Sequence, residues 1–176
     1  MYHVIVQAAD DGVIYPDDNA RLLQLDLFER CLQKYDWVSF GYCLLSTHGH
    51  LLVQTRPANI ARGMQWLSGL YGQRLNLRLD RRGHVLGARY FSKTVETDGH
   101  LLTVIRYVAR NALEAGMCNS LFDWPWSSYP AVLGLRLPRA VDVDAVLGLL
   151  AADPQVARQR LRDFVESDTA SRVAAA

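Results

Sequence analysis

Hydrophobic and polar residues recur along the first part of the chain with two different periods. Residues 2–8 alternate in steps of two and are rich in β-forming side chains, which is typical of a strand. From Asp17 or Asp18 to about Lys34 the apolar residues recur at helical spacing, and either aspartate is suited to cap the N-terminus of this helix. The apolar residues predicted to face inward from it are Leu22, Leu23, Leu25, Phe28, Cys31 and Leu32.

The next segments predict a strand hairpin, a second helix and a further strand. Residues 37–46 and 48–55 are apolar runs with a short break between them, so we expect them to pair as a hairpin. Residues 57–79 show the helical period again, and residues 85–95 are expected to contain a fourth strand. The side chains predicted to face inward from the second helix are Ile60, Met64, Leu67, Leu70, Tyr71 and Leu75.

A third helix is predicted over residues 98–116, with Asp98 as its N-cap and Gly116 at its end. Residues 117–134 are expected to form an irregular connection rich in aromatic side chains. Two short helices are predicted after it, over residues 142–152 and 154–167. On a helical wheel, the residues of the third helix that share one apolar face are Leu101, Val104, Ile105, Val108 and Ala112.

The order of these elements is β-α-β-β-α-β, followed by helices. This order is typical of an α+β protein with the ferredoxin-like, or split β-α-β, antiparallel sheet, with helices on one face. We therefore predict a main domain over residues 1–134. Residues 135–176 are expected to form a C-terminal helical extension whose tail frays.

The composition excludes several classes of protein. The 176 residues are 50% hydrophobic and 21% charged, which is ordinary for a soluble globular protein. The N-terminus shows no basic-then-apolar leader pattern, and no apolar run approaches the ~18 residues of a membrane span. Cys31, Cys43 and Cys118 are odd in number and widely spaced among apolar residues. We expect them to be reduced thiols of a cytoplasmic protein.

The net charge of +1 conceals an uneven distribution. Residues 1–55 carry a net charge of −4 and residues 111–176 a net charge of −2, whereas residues 56–110 contain 10 Lys or Arg and 3 Asp or Glu, a net charge of +7. Such a block favours a face that binds a polyanion, although a solvated, arginine-rich helix surface would show the same excess. The basic residues of this block are Arg56, Arg62, Arg74, Arg78, Arg81, Arg82, Arg89, Lys93, Arg106 and Arg110.

Two histidines, His48 and His50, lie one residue apart within an apolar run. On a strand they point to the same side, about 7 Å apart at roughly 3.3 Å per residue, which allows both imidazoles to bind one metal ion. Gly49 then faces the opposite side. A His-x-His pair also occurs by chance, so this spacing alone does not establish a metal site.

The third helix offers a second chemical feature, because Tyr107 and Asn111 lie one turn apart at the margin of its apolar face. A phenol and an amide in this position can contact whatever covers the helix. The alternative is an ordinary tyrosine with a packed ring and a solvated hydroxyl. Tyr90 and Tyr129 are rival tyrosines, but neither has an amide one helical turn onward. The histidines expected to be structural or surface residues are His3, His84 and His100.

Five segments, in this order, resemble motifs of the HUH single-tyrosine transposases. They are residues 41–53, which contain the histidine pair, and residues 62–67, 83–90, 106–111 and 125–134. The C-terminal helices resemble those of the REP-associated tyrosine transposases, a domesticated branch of that family. The resemblance extends over nearly the whole chain.

This resemblance implies a catalytic site and a reaction. His48, His50 and Asn111 would hold a divalent metal, Mg²⁺ or Mn²⁺, and Tyr107 would attack a phosphodiester of single-stranded DNA beside a hairpin. The products would be a 5′-phosphotyrosine and a free 3′-hydroxyl, and the step would reverse into strand joining. A metal is needed because a tyrosine hydroxyl with its usual pKa of about 10 is a poor nucleophile. The residues expected to contact DNA are Arg62, Arg81, Arg82, Arg89, Lys93 and Arg110.

The chain departs from the family pattern at several positions. Gly49 stands where a bulky apolar residue is usual, which we expect to remove buried contacts worth about 1.5–3 kcal/mol and to loosen the strand. Thr47 replaces an asparagine, Ala109 and Ala112 replace a histidine and a proline, and the usual basic segment after the first strand is absent. These departures spare the nucleophile and the three ligands, but they leave open whether the enzyme is fully active.

Three functions remain open on the sequence. The leading hypothesis is a metal-dependent endonuclease and strand transferase acting on single-stranded DNA near REP-type hairpins. The second is a catalytically impaired protein of the same fold that binds hairpin or single-stranded DNA. The third is a ferredoxin-like domain that acts through protein contacts, which the basic block disfavours.

The same resemblance sets expectations for partners and location. We expect a hairpin-containing single-stranded DNA partner, no membrane and no small-molecule substrate. A cytoplasmic, nucleoid-associated location follows from these expectations. A monomer is favoured over a dimer, because the C-terminal helices could cover the surface that a second copy would use.

Overall fold

The protein is described by a computed structural model that covers residues 1–9, 12–87 and 90–167. Four strands form one antiparallel sheet in the order β2-β3-β1-β4. Because β1 lies between β3 and β4, the topology is the predicted ferredoxin-like one. The strands are β1 (Tyr2–Gln7), β2 (Trp37–Leu44), β3 (His48–Thr55) and β4 (Phe91–Thr94).

The described residues also form three long helices and three shorter ones. Five of them follow the predicted order, and the sixth, α4, is a single turn within the segment 117–134 that was predicted to be irregular. Helices α1 and α2 pack against one face of the sheet, and α3 packs with the C-terminal helices against the other. The helices are α1 (Asp18–Tyr35), α2 (Ile60–Arg78), α3 (Asp98–Glu114), α4 (Tyr129–Val132), α5 (Val143–Gly148) and α6 (Pro154–Glu166).

The two hydrophobic cores follow from the alternation of side chains along the strands. In β3, Leu51 and Val53 contribute to the core beneath α1 and α2, whereas Leu52 contributes to the core beneath α3. His48 and His50 share the parity of Leu52, so both face α3. The five apolar residues of α3 predicted to be buried are all buried in this second core.

The inward face of α1 differs in part from the prediction. Leu22 is 40% exposed, and Leu27, which was not predicted to be inward, is fully buried. The physical reason is that polar Arg21 and Gln24 occupy inward positions, with the Arg21 guanidinium 5.5 Å from the centre of the Trp124 ring. Apolar periodicity alone cannot identify such buried polar positions.

The helix ends show which of the possible caps are used. Asp17 caps α1 by accepting a hydrogen bond from the Ala20 N–H at 2.8 Å, the first of the two predicted alternatives. Helix α3 is capped by Thr97, whose Oγ accepts from the His100 N–H, and not by the predicted Asp98, which lies in the first turn. Gly116, with a φ of +68°, follows the end of α3 as expected.

The predicted fourth strand is shorter than residues 85–95. Strand β4 begins at Phe91, and Leu86 forms an isolated bridge with Ala8. Residues 88 and 89, which include Arg89, lie outside the described residues. Within the described part of the chain, every helix is too short or too polar to span a membrane.

Candidate active site

His48 and His50 project from β3 toward α3 and form the floor of the candidate site. Their ring centroids are 5.0 Å apart and their planes are nearly perpendicular. His50 is 1% exposed, and His48, closer to the strand end, is half-buried. The predicted alternation of the strand therefore brings the two imidazoles together on one side.

A third imidazole, that of His3 on β1, meets His50 edge to edge, with the two ring planes nearly parallel. The ring centroids are 5.1 Å apart with an angle of 28° between the planes, and His3 Nε2 lies 3.0 Å from His50 Nδ1. Of the two expectations for His3, a structural or a surface residue, its burial fits the structural one, but its contact with His50 was not predicted. The missed signal was topological, because a ferredoxin-like sheet places β1 next to β3 and the parity of β1 turns His3 to the same face as His50.

Burial keeps these imidazoles neutral at physiological pH. It lowers the pKa of His50 to about 3, assisted by the charges of His3 and His48 and opposed by the Asn111 side chain. It also lowers the pKa of His3 to about 4, and Lys93 and His100 add to this effect. The pKa of His48 is lowered by burial as well, again with Asn111 opposing. A neutral imidazole retains a lone pair for metal binding.

Asn111 and Tyr107 reach the site from α3, one helical turn apart. The Tyr107 ring meets His50 edge to face at a centroid distance of 5.4 Å, and it meets His3 at 5.8 Å. Asn111 is buried, whereas Tyr107 is 40% exposed. The site thus combines buried polar side chains with a phenol that is accessible from solvent.

Two buried polar atoms in this site, His50 Nε2 and Asn111 Oδ1, make no hydrogen bond of normal geometry with the described residues, although the Asn111 side chain lies close enough to His48 and His50 to raise their pKa values slightly. Leaving such atoms unpaired costs about 1–3 kcal/mol each, so their occurrence side by side needs an explanation. With neutral His48 they form a nitrogen and oxygen donor set, which fits a divalent cation. Among the described residues, no group of three His, Cys, Asp or Glu side chains could hold a metal ion. A cation bound by His48 and His50 would therefore take the amide oxygen of Asn111 as its third donor.

A shallow cleft of about 230 Å³ opens beside His48, lined by Gln7, Ala8, Gly12 and Thr47. Thr47 Oγ1 lies 3.0 Å from His48 Nδ1, so this threonine engages one nitrogen of the His48 ring. The cleft exposes His48 to solvent and does not reach His50.

Gly49 does not leave a void on the opposite side of β3. A Cβ added to Gly49 would lie 2.7 Å from the Tyr15 hydroxyl and 3.0 Å from Leu44 Cδ2. The Tyr15 side chain, which is 1% exposed, fills the space that a larger residue would take. The expectation that Gly49 costs buried contacts was therefore wrong, because Tyr15 supplies the missing volume, whereas the expected loosening of the strand stays a prediction.

The rival tyrosines are part of the core. Tyr129 is buried, and this burial raises the pKa of its hydroxyl well above the usual range. Tyr90 is half-buried and packs against the core beneath α1 and α2. Neither tyrosine has a ring contact with His48 or His50 among the described residues, so Tyr107 is the tyrosine that the fold brings to the histidine pair.

The predicted DNA-contacting residues have different surroundings. Arg62, Arg81 and Arg82 are exposed, and exposed Lys93 is the cross-strand partner of His3, so it flanks the site. Arg110 is instead engaged inside the protein. Its guanidinium pairs with Glu114 at 2.9 Å and donates to the Val165 carbonyl at 3.1 Å, which ties α3 to α6. Arg89 lies outside the described residues.

Comparison with known proteins identifies the family. The model of a family described as IS200-like transposases matches residues 1–111, which include both histidines, Tyr107 and Asn111. The chain belongs to the IS200-like transposase family. No curated protein matches it. A solved structure, that of a REP-associated tyrosine transposase bound to a REP hairpin, superimposes on this IS200-like transposase with a TM-score of 0.63 and 10% identity, over 87% of this chain and 86% of the other. At that identity the likeness shows a shared fold.

Proposed function

We propose that this IS200-like transposase is a metal-dependent endonuclease and strand transferase that cleaves single-stranded DNA next to a hairpin, through a 5′-phosphotyrosine at Tyr107. The observation that carries the proposal is the pair of unpaired buried atoms, His50 Nε2 and Asn111 Oδ1, beside an accessible tyrosine. A purely structural cluster would pair these atoms with each other or with the backbone.

His48, His50 and Asn111 are the residues that would hold the divalent cation, Mg²⁺ or Mn²⁺. When bound, such a cation supplies positive charge that polarises the scissile phosphate and orients it for attack. Two neutral nitrogens and one amide oxygen add no negative charge of their own. The anionic phosphate of the substrate would therefore complete the site, and metal binding should be tighter when DNA is present.

The protein positions the nucleophile through packing. The edge-to-face contact of the Tyr107 ring with His50 and its contact with His3 hold the phenol over the histidines. In the proposed step the phenolic oxygen bonds to phosphorus as the bond to the 3′ oxygen breaks. The phenol loses its proton and the departing 3′ oxygen gains one, which yields a free 3′-hydroxyl. No water is consumed, so the reverse step rejoins a strand.

The basic block would supply the DNA-binding face. Arg62, Arg81, Arg82 and Lys93 present exposed cations, and Lys93 stands next to the site itself. Arg89 stays in the proposed set, while Arg110 is left out because Glu114 and the Val165 carbonyl engage its guanidinium. The solved structure that shares this fold holds a REP hairpin, which supports a hairpin as the partner.

We further propose that the protein acts as a monomer. Arg106 on α3 donates to the Phe164 carbonyl at 3.0 Å, and Arg110 on the same helix donates to the Val165 carbonyl. These two hydrogen bonds hold α3, the helix that carries Tyr107, against α6 of the same chain. Helix α6 therefore covers part of the α3 surface that a second copy would otherwise use. Sedimentation should accordingly give one mass of 19.8 kDa at micromolar concentration.

A covalent-capture experiment tests the proposed function. The protein is incubated with end-labelled, hairpin-containing single strands and Mn²⁺ and separated on a denaturing gel, with EDTA, Tyr107→Phe and Tyr90→Phe as controls. We expect a metal-dependent adduct in the wild type and in Tyr90→Phe, and none in Tyr107→Phe. Tight hairpin binding without an adduct across a broad set of strands would instead support the alternative, a hairpin-binding protein that does not cleave.

A further inference from the structure

We propose that His3 is a positioning residue that sets the tautomer of His50. In this proposal His3 Nε2 accepts the hydrogen of His50 Nδ1, so that His50 Nε2 keeps its lone pair for a divalent cation. The inference rests on the proposed function for the identity of the ligand, but it concerns the free protein and can be tested there.

The contact between the two rings allows only two proton arrangements. The nitrogens His3 Nε2 and His50 Nδ1 lie 3.0 Å apart, so one of them donates and the other accepts. If His3 donates, His50 carries its hydrogen on Nε2, which is a buried donor. If His50 donates, its Nε2 is a bare lone pair. The choice at this one contact therefore decides what His50 presents to the site.

The surroundings of His50 Nε2 favour the second arrangement in the free protein as well, because that nitrogen has no hydrogen-bond partner among the described residues and a hydrogen on it would be a buried, unpaired donor. Asn111 Oδ1 is an acceptor only, and it is buried without a hydrogen-bond partner in the described part of the chain, as is His50 Nε2. Two lone pairs beside a half-buried imidazole match a cation, whereas an Nε2–H would point a positive hydrogen at the place where the cation binds. Metal-binding histidines commonly donate their second N–H to an acceptor that fixes the ring in this way.

His3 is held firmly enough to act as that acceptor. It lies on β1, the strand between β3 and β4, where Leu52 and Lys93 are its cross-strand partners. It is buried, its ring plane lies at 28° to that of His50, and it contacts the Tyr107 ring. Because its acceptor is a neutral imidazole and not a carboxylate, His3 would orient His50 without adding charge to the site.

The experiment compares the full-length wild type with His3→Gln and His3→Leu. Glutamine has a side-chain oxygen that can accept the Nδ1–H, whereas leucine fills similar space and accepts nothing. Long-range ¹H–¹⁵N spectra of the histidine rings, assigned with His50→Gln, report which nitrogen of His50 carries the hydrogen in the absence of metal and DNA. Titration of free Mn²⁺ by electron paramagnetic resonance gives the affinity of each protein for the metal.

We expect the Nδ1–H tautomer of His50 in the wild type and in His3→Gln. In His3→Leu we expect loss of that preference and Mn²⁺ binding weaker by about 10- to 100-fold, with His3→Gln recovering most of the affinity. An Nε2–H tautomer in the wild type, or unchanged Mn²⁺ affinity in a folded His3→Leu protein, would overturn the proposal. The wild-type spectrum decides the tautomer even if His3→Leu does not fold.

The outcomes separate this inference from the proposed function. Ordered tautomer and His3-dependent Mn²⁺ binding in a protein that forms no DNA adduct would retain the role of His3 and reject the nuclease. If an adduct forms at Tyr107 but His3→Leu binds Mn²⁺ as tightly as the wild type, the proposed nuclease activity stands and the proposed role of His3 is rejected.

Discussion

Tyr15 occupies the space that Gly49 leaves on the reverse side of the strand that carries the two histidines. A Cβ built on Gly49 would lie 2.7 Å from the Tyr15 hydroxyl oxygen, which is closer than a carbon and an oxygen atom can pack without a bond between them. The residue at one position therefore limits the residue at the other. Gly49 interrupts the usual family motif, yet the core beneath it is filled. The positions of His48 and His50 are consequently supported from below by a tyrosine.

This dependence predicts a non-additive pair of substitutions. Gly49→Ala forces its methyl group against Tyr15 and should reduce the free energy of unfolding by about 1–3 kcal/mol. Tyr15→Phe removes a buried hydroxyl that has no partner among the described residues, so it should be neutral or stabilising. In the double variant the cost of the alanine should be smaller than in the wild type. Urea unfolding of the four proteins measures the coupling, and additive costs would show that Tyr15 is not the constraint.

Asn111→Leu should separate metal binding from stability. The Asn111 oxygen is buried and unpaired within the described residues, so a leucine of similar size should change the free energy of unfolding by less than about 1 kcal/mol. Mn²⁺ affinity should nevertheless fall at least tenfold, because a donor is lost. Asn111→Asp, which adds a negative charge, should bind Mn²⁺ more tightly than the wild type. Equal Mn²⁺ affinities of the three proteins would place the metal elsewhere.

Lys93 and Arg110 should differ in what they contribute to DNA binding. Lys93→Ala removes an exposed cation beside the site and should lower the slope of log affinity against log salt by about 0.7 for a single strand. Arg110→Gln removes the bond to the Val165 carbonyl, so it should cost about 1–3 kcal/mol of stability and leave the salt slope unchanged. Hairpin binding at several salt concentrations and thermal unfolding test the pair. If Arg110→Gln also lowers the slope of log affinity against log salt, Arg110 contacts DNA after all.

The buried histidines predict a loss of stability in mild acid. Since burial lowers the pKa of His3 to about 4 and that of His50 to about 3, the unfolded chain takes up protons first, near pH 6.5. Stability is therefore complete above pH 6.5 and decreases as the pH falls below it, until the folded pKa values are reached. Between pH 7.5 and 5.5 each of the two histidines should contribute a loss of roughly 1 kcal/mol.

His3→Gln provides the control for this pH dependence. Because it has one buried histidine fewer, it should lose roughly 1 kcal/mol less stability than the wild type over the same interval. Denaturant unfolding in the metal-free protein at pH 7.5 and 5.5 measures both losses. A wild type whose stability is independent of pH in this interval would contradict the neutral state assigned to these imidazoles.

The parts of the site that depend on local periodicity could be predicted from the sequence. Alternation in β3 correctly turned His48 and His50 to one side, and the helical period of α3 correctly separated its apolar face from the margin where Tyr107 lies. Both predictions need only the geometry of a single element. The resemblance to the HUH single-tyrosine transposases added the expectation that the histidines of β3 and the tyrosine of α3 belong to one site.

Features that depend on contacts between distant elements could not be predicted. The contact of His3 with His50 follows from strand order, and the filling of the space beside Gly49 follows from a tyrosine in the segment before α1. The exposure of Leu22 follows from a buried arginine that stacks on a tryptophan more than 100 positions later in the chain. Each depends on tertiary packing that overrides the local pattern.

The most direct test of the central claim is to map the covalent DNA adduct by mass spectrometry after proteolysis. A hairpin-containing single strand is incubated with the wild type and Mn²⁺, the DNA is trimmed with nuclease, and the modified peptide is sequenced. We predict a nucleotide joined through its 5′ phosphate to Tyr107, together with a released strand that ends in a 3′-hydroxyl. A modification on another residue, or a released strand that ends in a 3′-phosphate, would contradict the proposed mechanism.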